Sequence, residues 1–110
     1  MIELYNKIEE LRNLPPNWCY GDVTAPNDIA IALAKEALRV CIDNGLLPKI
    51  VPSADEGVGF SFRIDGKFAG VEFYNTGEIV SVHQTNDEWE IIEEVTAKEA
   101  ILEIKKFLND

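Results

Sequence analysis

From Val58 to Gln84 apolar and polar residues alternate with a period of two, and turn residues interrupt the alternation at regular intervals. Val58, Phe60, Phe62 and Ile64 are separated by Gly59, Ser61 and Arg63. Side chains of a strand point alternately to its two faces, so this spacing predicts a strand buried on one side. Asp65-Gly66 follows, a pair suited to the left-handed backbone of a tight hairpin. The return strand, Lys67 to Tyr74, sets Ala69, Val71 and Phe73 on one face. Asn75-Thr76-Gly77 turns the chain again, and Glu78 to Gln84 makes a third strand. Thr85-Asn86-Asp87 is a further turn, with Glu88 to Val95 as a fourth strand around Trp89, Ile91 and Ile92. Lys49 to Pro52 fits a short edge strand, because Pro52 has no amide hydrogen to give to a ladder.

Helical patterns flank these strands. Ile2, Tyr5, Ile8 and Leu11 recur every third residue over Ile2 to Arg12, which predicts a helix with one apolar face, stopped by Pro15 and Pro16. A second helix is expected from the N-cap Asn27 to Asn44, ended by Gly45 with Pro48 beyond. Its charges, Asp28, Lys35, Glu36, Arg39 and Asp43, form one narrow face, so the rest of its surface should be buried against a sheet. A third helix starts at Thr96, where Thr96 and Glu99 have the spacing of a capping box, and Ala97, Ala100 or Ile101, Ile104 and Leu108 give its buried stripe. The fold class is therefore α+β. Residues 1–110 should form a single domain, an antiparallel meander of three to four strands packed against two or three helices in the order α-α-β-β-β-β-α.

Length and composition agree with this expectation. A chain of 110 residues is one small domain, and 46% hydrophobic residues is ordinary for a globular protein. No apolar run reaches the roughly 20 residues of a membrane span, and no basic-then-apolar leader opens the chain, so a cytoplasmic location is expected. Cys19 and Cys41 fit that compartment as free thiols.

Charge is the strongest functional signal. Twenty acidic residues against ten basic ones leave a net charge of −10. The segment from Asp87 to Glu103 holds Asp87, Glu88, Glu90, Glu93, Glu94, Glu99 and Glu103 against one base, Lys98. Such a patch repels nucleic acid and membrane phosphates and attracts basic surfaces. Held on a rigid strand and helix, carboxylates can imitate a phosphate backbone and occupy the Lys and Arg groove of a nucleic-acid-binding protein. The same run also serves plain solubility. Alternation on the strand means the acids cannot all face one way: Glu88, Glu90 and Glu94 share one parity, Asp87 and Glu93 the other.

The segment Leu14-Pro15-Pro16-Asn17-Trp18-Cys19-Tyr20-Gly21, with Ala25-Pro26 after it, is the most distinctive stretch. Two prolines stiffen it, and Trp18 and Tyr20 offer large apolar bodies with polar tips. It fits either a recognition loop presenting Trp18 and Tyr20, or a plug in which Trp18 closes the space between the first two helices. The segment resembles a group of small bacterial and phage proteins of unknown function that share a Leu-Pro-x-x-Trp-x-x-Tyr-Gly-type loop, then Ala-Pro and a helix, then a β-hairpin region. Members often carry Asp directly after the Trp, where this chain has Cys19. The resemblance implies the biology of mobile elements and host–phage conflict, and it implies no catalytic residues.

Other chemistry has little support in the sequence. His83 is the single histidine, and with Cys19 or Cys41, and Asp22 as orienting acid, it would make a nucleophile–base set without any local motif. One His and two isolated Cys do not have the paired spacing of a zinc site. Asp55-Glu56-Gly57 and Asn86-Asp87-Glu88 lack the spaced ligands of a calcium loop, and no Gly-rich loop opens a helix for a nucleotide. No metal or other cofactor is expected. The sequence favours a non-catalytic, acidic protein-binding domain. Its expected partner is a basic protein, possible members being nucleic-acid-handling complexes, and its natural analogues are antitoxins, immunity proteins and anti-CRISPR-like inhibitors. Direct nucleic-acid or membrane binding is not expected. The alternatives are an accessory subunit that homodimerises through an open sheet edge or apolar patch, and a small Cys/His enzyme.

Overall fold

A computed structural model describes residues 2–16, 18, 19, 21, 23–94 and 96–110. Tyr20, Asp22 and Val95, each used above, lie outside the described residues. Helix α1 (Ile2–Glu10) runs into a single 3-10 turn (Leu11–Asn13), and α2 (Asp28–Asp43) follows after a loop. Strands β1 (Lys49–Ser53), β2 (Gly57–Ile64), β3 (Lys67–Tyr74), β4 (Ile79–Thr85) and β5 (Glu88–Glu94) then form one antiparallel sheet in sequence order, and α3 (Ala97–Asn109) closes the chain. The sheet thus has five strands, not the three to four expected. The short Lys49–Ser53 segment pairs along its whole length with Gly57–Ser61, so it counts as a full edge strand despite Pro52.

Register separates the two faces of the sheet. Val58 pairs with Phe73, Phe60 with Val71 and Phe62 with Ala69, and all six are buried. Phe60 and Phe73 meet edge to face with centroids 5.2 Å apart, an arrangement aromatic quadrupoles favour. Over this face lie α2, against β2 and β3, and α3, against β3 and β4. Small residues on α2, Ala30, Ala34, Ala37 and Cys41, recur on one side and are fully buried, which lets its neighbours approach closely. The expected α3 stripe is buried, and Ala100 and Ile101 are both part of it, beside Ala97, Ile104 and Leu108. Ile2, Ile29 and Ile64, expected to be buried, are 70%, 51% and 41% exposed, each near the end of its element.

Polar pins fix the ends of the elements. The Asn27 side chain accepts the Ala30 amide hydrogen at 3.0 Å and caps α2, and Thr96 accepts that of Glu99 at 3.1 Å to cap α3. Gly45 ends α2 with φ +71°, and Asp65 and Gly66 both take positive φ in the β2–β3 turn. Asn75, in the β3–β4 turn, accepts from the Asn27 amide at 2.9 Å and donates to the Ala25 carbonyl at 3.1 Å, tying the entrance of α2 to the sheet. Thr24 donates through its amide to Glu56 at 2.7 Å, which ties the same loop to the β1–β2 turn. Arg12 bridges Glu9 of α1 and Asp28 of α2, and Lys35 of α2 meets Glu9 at 2.5 Å. Hydrogen bonds from Arg12 and Lys35 hold the Glu9 carboxyl down at about 2. No helix among the described residues is long and apolar enough to cross a membrane.

Gly57 tests the tightness of this frame. A Cβ there would lie 2.1 Å from the Phe73 carbonyl oxygen, and backbone cannot step aside as a side chain can. Gly57→Ala should cost on the order of 2–3 kcal/mol, the upper part of the overpacking range. Gly45 is surrounded by open space and has only its positive φ to defend, so Gly45→Ala should cost about 1 kcal/mol. Denaturant unfolding of both variants checks the order.

Candidate functional site

The acidic residues of the sequence do not form one face. Strand β5 pairs with β4 as Ile79 with Glu94, Ser81 with Ile92, His83 with Glu90 and Thr85 with Glu88. Ile79 and Ser81 are buried under the helices, so Glu88, Glu90, Ile92 and Glu94 project from the helix-covered face. Glu93, opposite Val80, takes the other face together with Trp89 and Ile91. Asp87 sits in the turn between β4 and β5. Glu99 and Glu103 stand on α3, exposed, and both act electrostatically on Glu94. The structure therefore gathers Glu88, Glu90, Glu94, Glu99 and Glu103 along the seam between β5 and α3, and sends Asp87 and Glu93 elsewhere.

This seam is a groove. One depression of about 420 Å³ is lined by His83, Glu90, Ile92, Glu103, Lys106, Phe107 and Asp110. A second, of about 330 Å³, shares His83, Glu90 and Phe107 with it and extends to Thr85, Glu88 and Trp89. The His83 ring stacks on Phe107 with centroids 4.6 Å apart. Burial lowers the His83 pKa, against the pull of Glu90 and Glu103, and so favours the uncharged ring. Its Nε2 is buried and has no hydrogen-bond partner among the described residues. Lys67 donates to the Phe107 carbonyl at 2.8 Å and to that of Asp110, which secures the end of α3 at the mouth of the groove.

Glu94 closes the other end. It accepts a hydrogen bond from the buried Ser81 hydroxyl at 2.7 Å, which draws its carboxyl inward. Burial, and then the hydrogen bond that protonated Glu94 gives to the neighbouring Glu103, raises the Glu94 pKa to about 7, against the Ser81 bond, which lowers it. Partial burial beside a second carboxylate disfavours the charged form of Glu94. The groove thus holds less negative charge near neutrality than its residues suggest, and part of that charge depends on pH.

The remaining sequence candidates lie apart from the groove. Cys41 is buried on α2, and burial pushes its thiol up to about 12, the opposite of an activated nucleophile. Cys19 and Trp18 are half-buried in the loop before α2, and Trp18 Nε1 is buried without a hydrogen-bond partner among the described residues. Trp18 and Tyr20 are spaced by one residue, closer than the two of the loop type this segment resembles. Among the described residues no group of three or more His, Cys, Asp or Glu is arranged to hold a metal ion. Phe107 and Lys106 of the groove were missed as functional residues, because nothing in the sequence says that the end of α3 faces His83. The exposure of Trp89 and Ile91 was also missed, although their opposite parity to Glu88 and Glu90 carried the signal. Compared with known protein families, curated proteins and solved structures, the chain matches none.

The Glu94 site makes a stability prediction. Unfolded, this carboxyl titrates near 4.5, and folded near about 7, so between those values the native state holds the extra proton. Stability should fall as pH rises through that window, and the loss should be complete above it. Gln in place of Glu imitates the protonated acid, keeping an acceptor for Ser81 and a donor for Glu103. Glu94→Gln should raise the melting temperature at pH 8, leave it unchanged near pH 4, and flatten the slope between, as measured by thermal melts across pH.

Proposed function

We propose that this chain is a non-catalytic binding domain whose acidic groove engages a basic protein surface, best matched by a protein that otherwise holds nucleic acid. The observation that carries the reading is the convergence of Glu88, Glu90, Glu94, Glu99 and Glu103 from two elements onto one seam. A solubilising charge needs no such convergence, whereas a docking site for Lys and Arg does. The carboxylates stand on a paired strand and a capped helix, so little ordering entropy is lost on binding. Like-charged rows on a rigid frame suit imitation of a phosphate backbone, and so an inhibitor of the antitoxin, immunity or anti-CRISPR-like kind. The loop resemblance to phage and bacterial proteins points the same way.

A homodimeric accessory subunit is the second reading, favoured by the exposed Trp89 and Ile91 beside an open sheet edge. A Cys/His enzyme has less support, since the Cys41 thiol is pushed up and His83 is stacked on Phe107.

Association driven by this groove should weaken as salt rises. The informative variant reverses Glu88 and Glu90 to Lys and spares Glu94, which Ser81 needs, and Glu103, which acts on Glu94. Exposed charges contribute little to folding, so its melting temperature should stay close to wild type. Its affinity for a partner identified from the native host should drop by roughly tenfold or more at low salt. Equal affinities without salt dependence, measured by titration calorimetry, would leave the charge as a solubility feature.

A further inference from the structure

We propose that the free edge of β5 receives an extended segment of the partner as a sixth strand, one whose Lys or Arg side chains alternate with apolar ones. This rests on the reading that the partner is basic and adds how it is held. Three observations carry it. Strand β5 ends the sheet and pairs only with β4, so along its outer side alternate residues leave N–H and C=O groups unpaired. An extended peptide satisfies such a row directly.

The period of β5 also divides its chemistry by face. Glu88, Glu90 and Glu94 project to the groove side, while Trp89 and Ile91, 64% and 57% exposed, project to the open side. An added strand has the same period. Its side chains would meet carboxylates on one face and the Trp89–Ile91 pair on the other. Acids on an edge are a common guard against unwanted pairing. A guard alone, however, gives no reason to leave a tryptophan two thirds exposed beside the open backbone.

Charge decides the occupant. A second copy pairing antiparallel about Ile91 would set Glu88 opposite Glu94 at both ends of the ladder, and like charges directly opposite each other are destabilising. The net charge of −10 on each copy adds to that repulsion. A strand carrying Lys or Arg turns the same positions into favourable cross-strand pairs.

The test uses the full chain and two capped peptides of identical composition, Lys-Val-Lys-Val-Lys-Val-Lys and Lys-Lys-Lys-Lys-Val-Val-Val. The alternating peptide should bind at least roughly tenfold tighter than the block isomer. At saturation it should slow hydrogen exchange at alternate amides within residues 88–94, and at no β1 amide. The double variant Trp89→Ser/Ile91→Ser, altered only at exposed positions, should lose the preference between peptides while keeping salt-dependent binding. Equal binding of both peptides, or preference without slowed exchange in 88–94, overturns strand addition and leaves the basic-partner reading standing. Binding of neither peptide at low salt overturns both. Sedimentation showing a dimer of the chain alone, with the same amides protected, would assign the edge to a second copy and overturn the proposal.

Discussion

The structure depends on a mismatch of widths. Two helices lying side by side cover about 20 Å, while strands are spaced about 4.8 Å apart, so such a pair roofs about four strands. This sheet has five. Helix α2 lies over β2 and β3, α3 over β3 and β4, and α1 reaches β1. Strand β5 is left projecting beyond the roof, paired on one side and covered on neither face along most of its length. Its polar and apolar residues are exposed because no third covering helix exists on that side, not because the strand is weakly specified.

That overhang makes the groove. Where the α3 roof ends, its outward carboxylates meet those on the roofed face of β5, and the two rows become one lining. Ser81 shows how finely this is set. It is fully buried beneath the helices, opposite Val71 on one side and Ile92 on the other, and its hydroxyl is satisfied by Glu94 from the overhanging strand. Burial and the neighbouring Glu103 raise the Glu94 pKa, and the Ser81 bond opposes them.

The opposite end of the sheet is organised differently. There the two turns around Glu56 and Asn75 are hydrogen-bonded to the loop entering α2. Thr24, Ala25 and Asn27, which lead into α2, are thus fastened to the sheet turns.

Much of the fold was legible because local rules and global packing agree. The period-two run from Val58, the Asp65-Gly66 turn, the Asn27 and Thr96 caps and the Gly45 stop each have a single local meaning, and each took its expected place. The sequence also determined that Glu88, Glu90 and Glu94 share a face, since strand parity is a property of the backbone alone. It did not determine which face. That choice followed from the register that sets Ser81 beside Ile92, and from the helices lying on the Ile79 side. Likewise only the tertiary structure brought α3 carboxylates from beyond Val95 to the β5 acids, turned Phe107 onto His83, and left Trp89 and Ile91 in solvent. Parity is local and can be counted along a chain, but a groove needs the relative placement of elements, which depends on how many strands the helices can cover.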